Sequence, residues 1–126
     1  MRILITGKTQ LVSSNRVDEE FIKFKNLYPN TEKFVILSFG GRNGVEVSAR
    51  VISKRYNLEY LEFEADFKRY GPDAKSIRNT EALKKGKPNL IWIFHINMIS
   101  LKKVKGLDDL VSKAKRRCIP VKLIEV

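Results

Sequence analysis

Cysteine and histidine are nearly absent, with one of each among 126 residues. The lone Cys118 cannot close an internal disulfide, which excludes a stapled secreted scaffold. Cys118 and His95 together fall short of the four ligands of a structural zinc site, so no metal is expected. Long apolar runs are missing too; none approaches the roughly 18–20 residues of a membrane span. The opening MRILITGK shows no apolar stretch followed by a small-residue cleavage site, and a cytoplasmic protein is the expectation. Proline and glycine are too sparse for a linker or low-complexity tract, which leaves residues 1–126 as one expected domain. Acidic residues are also in short supply. Lys and Arg total 25 against 14 Asp and Glu, a net charge of +11. That excess suits nucleic acid or nucleotide phosphates, and it equally describes a well-solvated Lys-rich surface.

What is present is an alternation of short apolar runs with longer amphipathic segments. Strands are expected at Ile3-Leu4-Ile5, Lys33–Ser38, Leu58–Phe63, Asn89–Phe94 and Val121–Glu125. Phe34-Val35-Ile36-Leu37 and Leu90-Ile91-Trp92-Ile93-Phe94 are apolar at consecutive positions, as in parallel strands buried on both faces. Helices are expected over Asn15–Tyr28, Asn43–Tyr56, Asp73–Lys84 and Leu107–Arg117. The first carries Val17, Phe21, Phe24 and Tyr28 on one face, a set suited to a core or to a homodimer interface. Asp73 is a candidate N-cap, and Pro120 stops the last helix. The expected architecture is an α/β three-layer sandwich with a mainly parallel sheet of about five strands.

Ligands of such sheets bind at the carboxyl ends of the strands, so the residues there are the candidates. After the first strand stand Gly7 and Lys8, a tight turn with a point charge. After the second comes Phe39-Gly40-Gly41-Arg42-Asn43-Gly44, where missing side chains favour phosphate or ribose. The spacing is neither that of a Walker A loop nor that of the dinucleotide fingerprint. After the third, Phe67 and Tyr70 could stack on a base, and Arg78 with Asn79 would open the next helix. After the fourth stands His95, a titratable group at a strand end that more often serves as a structural hydrogen-bonder. The densest basic region follows: Lys102, Lys103, Lys105, Lys113, Lys115, Arg116 and Arg117. It suits a phosphate backbone or a solvated helix face.

The succession MRILITG, FGGRNG, ADFKRYGPDAKSIRN-x-E and GLDDLVSKAK resembles the YspA-like branch of the SLOG superfamily, over almost the whole chain. The resemblance implies a Rossmann-like fold and a nucleotide-derived ligand. Relatives include the "lonely guy" phosphoribohydrolases and a DNA-processing protein family. By the same resemblance Gly7, Gly40, Gly41 and Gly44 would line a phosphate or ribose cleft, faced by Arg78, Asn79 and Glu81. Where relatives carry a Gly-Gly pair after the fourth strand, this chain has His95-Ile96-Asn97-Met98. The carboxylate of the hydrolases has only an approximate counterpart in Asp109. The leading expectation is therefore binding, by sensing or sequestration, of an ADP-ribose or nucleoside monophosphate derivative, with no cofactor. The alternatives are a nucleotide N-glycosidic hydrolase using Arg78, Glu81 and Asp109, and a nucleic-acid-binding protein using the basic 102–117 surface.

Overall fold

The computed structural model of the chain describes residues 1–7, 14–30, 33–41 and 44–126. Five strands form one sheet: β1 (Arg2–Gly7), β2 (Val35–Ser38), β3 (Glu59–Glu62), β4 (Leu90–His95) and β5 (Val121–Glu125). Their order is β3-β2-β1-β4-β5 and every pairing is parallel. All five expected strands are present. The order follows β1 to β2 to β3 in one direction, then returns to the other side of β1 for β4 and β5. That reversal makes the carboxyl ends around β1 the place where loops diverge and a crevice opens.

Alternation along the strands divides the core into two layers. Ile3, Ile5, Ile36, Trp92 and Phe94 face one side, covered by α1 (Ser14–Leu27) and α2 (Val45–Arg55). Leu4, Val35, Leu37, Ile91 and Ile93 face the other, covered by α4 (Ala74–Gly86) and α6 (Lys105–Arg116). This is why both central strands read as unbroken apolar runs: a parallel strand between helical layers has no wet face. In α1, Phe21 is fully buried and Phe24 packs edge-on against Trp92 and Phe34, so both belong to the core. Tyr28 lies just beyond the end of α1 and is exposed.

Two short helices stand where the sequence suggested only loop. Asp66 caps α3 (Phe67–Tyr70), its Oδ1 accepting from the Arg69 amide at 3.1 Å. Asn97 caps α5 (Met98–Lys102), accepting from the Ser100 amide at 2.8 Å. Both caps satisfy amide groups that a helix start leaves without partners. Asp73 does occupy the N-cap position of α4, but its side chain makes no capping bond. A 3-10 turn over Gly71–Asp73 leads into that helix and places Asp73 in helical backbone geometry.

Candidate functional site

A cavity of about 290 Å³ opens at the carboxyl ends of β1 and β2. Thr6, Gly7, Phe39, Gly40 and Gly41 form its floor and rim. Glu46 of α2, Lys75 and Arg78 of α4, and Gly106 of α6 close it. Past Gly40 and Gly41 it continues into a wider recess lined also by Arg50, Glu64 and Phe67.

The backbone at the rim explains its glycines. Gly7 lies opposite Phe94 in the β1–β4 register. A Cβ there would stand 2.3 Å from the Phe94 carbonyl oxygen, against unyielding backbone. Gly7 therefore serves the close approach of β1 to β4 as well as the crevice it borders. Gly40 turns the chain with a φ of 69°, a left-handed conformation natural to glycine. Its amide donates to Ser38 Oγ at 3.2 Å. Arg50 then pins the turn, donating to the Gly41 carbonyl at 3.2 Å and to Glu62 Oε1 at 2.7 Å. Gly44 caps α2 without a side-chain bond. Lys8, Arg42 and Asn43, also expected here, lie outside the described residues.

Of the residues expected on the facing helix, Arg78 alone lines the cavity. Its guanidinium carbon lies over the Phe39 ring, 3.9 Å from the centroid. Burial pulls it below the ordinary arginine value, while the charges of Glu46 and Asp109 oppose that change. It stays a cation at neutral pH. Nη2 donates to Asn79 Oδ1 at 3.2 Å, and Nε has no hydrogen-bond partner among the described residues.

Asn79 and Asp109 do not face the crevice as expected; they join two helices. Asn79 is fully buried, and its Nδ2 donates to the Gly106 carbonyl at 2.8 Å and to Asp109 Oδ2 at 3.0 Å. Asp109 also accepts from Ser76 Oγ at 3.3 Å and pairs with Lys113 at 2.9 Å. Burial opposes its charge, but the bonds from Asn79 and Lys113 outweigh that and hold its carboxyl below the usual range. This bracket between α4 and α6 consumes the carboxylate that a hydrolase would need free. Glu81 borders a neighbouring recess with Asp66 and Arg69, on the other side of Arg78, which lines both. His95 is buried at the end of β4, away from the cavity lining.

Glu46 was not anticipated from the sequence. It stands in the first turn of α2, where an acid normally complements the helix dipole from solvent. Here the glycine turn swings it inward, and it is only 7% exposed. Thr6 Oγ1 donates to Glu46 Oε1 at 2.8 Å. Burial pushes its carboxyl up to about 7, against the counteracting Thr6 bond and Arg78 charge. The other oxygen, Oε2, has no hydrogen-bond partner among the described residues. The one available signal was an acid directly behind the glycine turn, a weak cue because most first-turn acids face water.

The basic region divides. Lys113 is internal in function, donating to the Ser76 carbonyl and Oγ at 2.7 Å each. Lys102, Lys105 and Arg116 border a second groove of about 780 Å³, together with Lys75, Phe67 and the carboxylates of Asp73, Asp108 and Asp109. Lys103, Lys115 and Arg117 are exposed outside it. Among the described residues no three His, Cys, Asp or Glu side chains converge to hold a metal ion, and no helix is long and apolar enough to cross a membrane.

No family model and no curated protein matches this chain. Among solved structures, the chain is similar to a dTDP-glucose 4,6-dehydratase from Bacillus anthracis str. Ames, solved in complex with NAD. The likeness has a TM-score of 0.50 and 17% sequence identity, and covers 99% of this chain. The chain spans 36% of the dehydratase chain, about a third of its length. Likeness at that identity, together with the all-parallel sheet, establishes an α/β Rossmann-like fold.

Proposed function

We propose that this protein binds a phosphate-bearing, nucleotide-derived ligand in the crevice at the ends of β1 and β2, as a sensing or sequestering module. One observation carries the reading. Arg78 is a cation lying over Phe39 in the crevice wall, with a buried Nε that lacks a partner among the described residues. A guanidinium held over an aromatic ring offers a preorganised fork to a phosphate. Lys75 adds a second positive charge to the same wall. The glycine turn brings main chain rather than side chains to the rim, and Phe67, 58% exposed in the wider recess, offers a face for a base. The fold supports the reading, since crevices at strand carboxyl ends hold nucleotides in many such sheets, and the similar dehydratase was solved with NAD. So does the resemblance to the YspA-like SLOG branch. A hydrolase finds less support, because Asp109 is engaged by three partners and Glu81 lies off the crevice.

The test is a thermal-shift panel of AMP, ADP-ribose, NAD and other nucleoside monophosphates on the wild type and Arg78→Ala. A ligand at 100 times its Kd stabilises by about 2.7 kcal/mol, a rise of roughly 3–7 °C for a domain of this size. The wild type should shift with at least one member at moderate salt, and Arg78→Ala should not. Equal shifts in both proteins would place the ligand elsewhere.

A second reading rests on the groove bearing Lys75, Lys102, Lys105, Arg116 and the exposed Phe67. Cations flanking an aromatic face suit single-stranded nucleic acid, while Asp73, Asp108 and Asp109 on the same groove oppose a phosphate backbone. In that case an oligonucleotide would bind with an affinity that falls steeply as salt rises.

A further inference from the structure

The crevice holds two incompletely bonded buried atoms of opposite character, Arg78 Nε and Glu46 Oε2. Both residues line the same cavity. Glu46 is more than nine-tenths buried, and Thr6 fixes its Oε1, which leaves Oε2 as the acceptor still to be satisfied. A buried acceptor without a partner is costly, and a group that donates to it gains correspondingly. The chemistry of that donor is narrow. In its ionised form, which prevails near pH 8 where the binding experiment belongs, the carboxylate would repel a phosphate oxygen. An ammonium group would be repelled by Arg78 and Lys75, which border the same space. What remains is a neutral donor attached to an anion, and the hydroxyls of a sugar phosphate are donors of that kind.

We infer that Glu46 is the hydroxyl acceptor of the crevice: the ligand whose phosphate Arg78 holds carries a free sugar hydroxyl that donates to Glu46 Oε2. The inference rests on the reading of the crevice as a phosphate site. It narrows the ligand class to nucleotides with a free sugar hydroxyl, as against dideoxy forms, free phosphate or polyphosphate. Thr6 is the positioning residue, holding the carboxylate by its other oxygen from the end of β1. Gly41 lets α2 pack close, because a Cβ at that position would stand 3.3 Å from Glu46 Cβ.

The experiment measures binding of AMP and 2′,3′-dideoxy-AMP at about pH 8, by calorimetry or ligand-observed NMR, to the wild type, Glu46→Gln and Arg78→Ala. The wild type should bind AMP about tenfold more tightly than the dideoxy form, the usual scale of a hydrogen bond to a charged group. Glu46→Gln should remove most of that difference by weakening AMP alone, while Arg78→Ala weakens both. Equal wild-type affinity for the two nucleotides overturns the inference and leaves the phosphate site standing. An equal loss for both in Glu46→Gln does the same. If neither nucleotide binds the wild type, the role of Glu46 toward a nucleoside monophosphate fails; if Arg78→Ala changes nothing, the crevice reading fails and the role of Glu46 fails with it. Should Glu46→Gln not fold, the comparison of the two nucleotides on the wild type decides alone.

Discussion

Replacing Glu46 with glutamine should change how stability depends on pH, by an amount that follows from its burial. In the unfolded chain this carboxyl titrates near 4.5, and in the fold burial raises it to about 7. The folded state thus holds the proton more tightly than the unfolded state. Its contribution is fully present below about pH 4.5, falls as pH rises from there to about 7, and is constant above. A tenfold change in proton affinity is worth about 1.4 kcal/mol, so the interval amounts to roughly 3 kcal/mol. Glutamine has nearly the same shape, keeps an oxygen for the Thr6 hydroxyl and carries no charge at any pH. The other perturbed carboxyls, Glu20, Glu62 and Asp109, are lowered and act in the opposite sense at acid pH. They are present in both proteins and cancel in the difference. Urea denaturation followed through Trp92, the single tryptophan and buried between the layers, gives the unfolding free energy. At pH 4 the two proteins should differ little; at pH 8 Glu46→Gln should be the more stable by about 3 kcal/mol. A difference between them that stays within about 0.5 kcal/mol across that range would refute the reasoning, since it would mean that Glu46 is solvated or compensated in the fold.

Arg78→Lys should recover little of the ligand-induced shift lost in Arg78→Ala, because an ammonium does not offer the planar fork held over Phe39; full recovery in the thermal-shift panel would reduce Arg78 to a point charge. Gly7→Ala should cost more than about 3 kcal/mol or prevent folding, since its methyl group would meet the backbone of β4. A melting temperature close to that of the wild type would contradict that packing. Asn79→Ala removes both donor bonds that join α4 to Gly106 and Asp109, and should destabilise by about 2–3 kcal/mol in urea titration.

The strands were legible because their signal is local. Phe34–Leu37 and Leu90–Phe94 have apolar side chains on both faces, and only a strand between two helical layers asks for that. The helices were legible from their apolar stripes, with ends displaced by one to two residues. The short helices α3 and α5 were missed because their evidence is a single capping side chain, Asp66 or Asn97, of a kind that turns also use. The glycine turn after β2 and Arg78 were placed at the strand ends by their position along the chain, and both line the cavity there. Asn79 and Asp109 sit in the same stretches of sequence, but their partners are 30 residues apart along the chain. No pattern of spacing shows whether such a pair points to a ligand or to each other.

By itself, then, the sequence determined the class of architecture, the layering of apolar side chains and the places where the backbone must turn sharply. Each of these depends on neighbours within a few residues. Tertiary structure alone decided the strand order, which puts the reversal beside β1. It alone turned Glu46 inward toward Thr6, forty residues away in the chain, and set Arg78 against Phe39. The strength of a charge depends on its burial and on what lies opposite, and both are properties of the packed molecule.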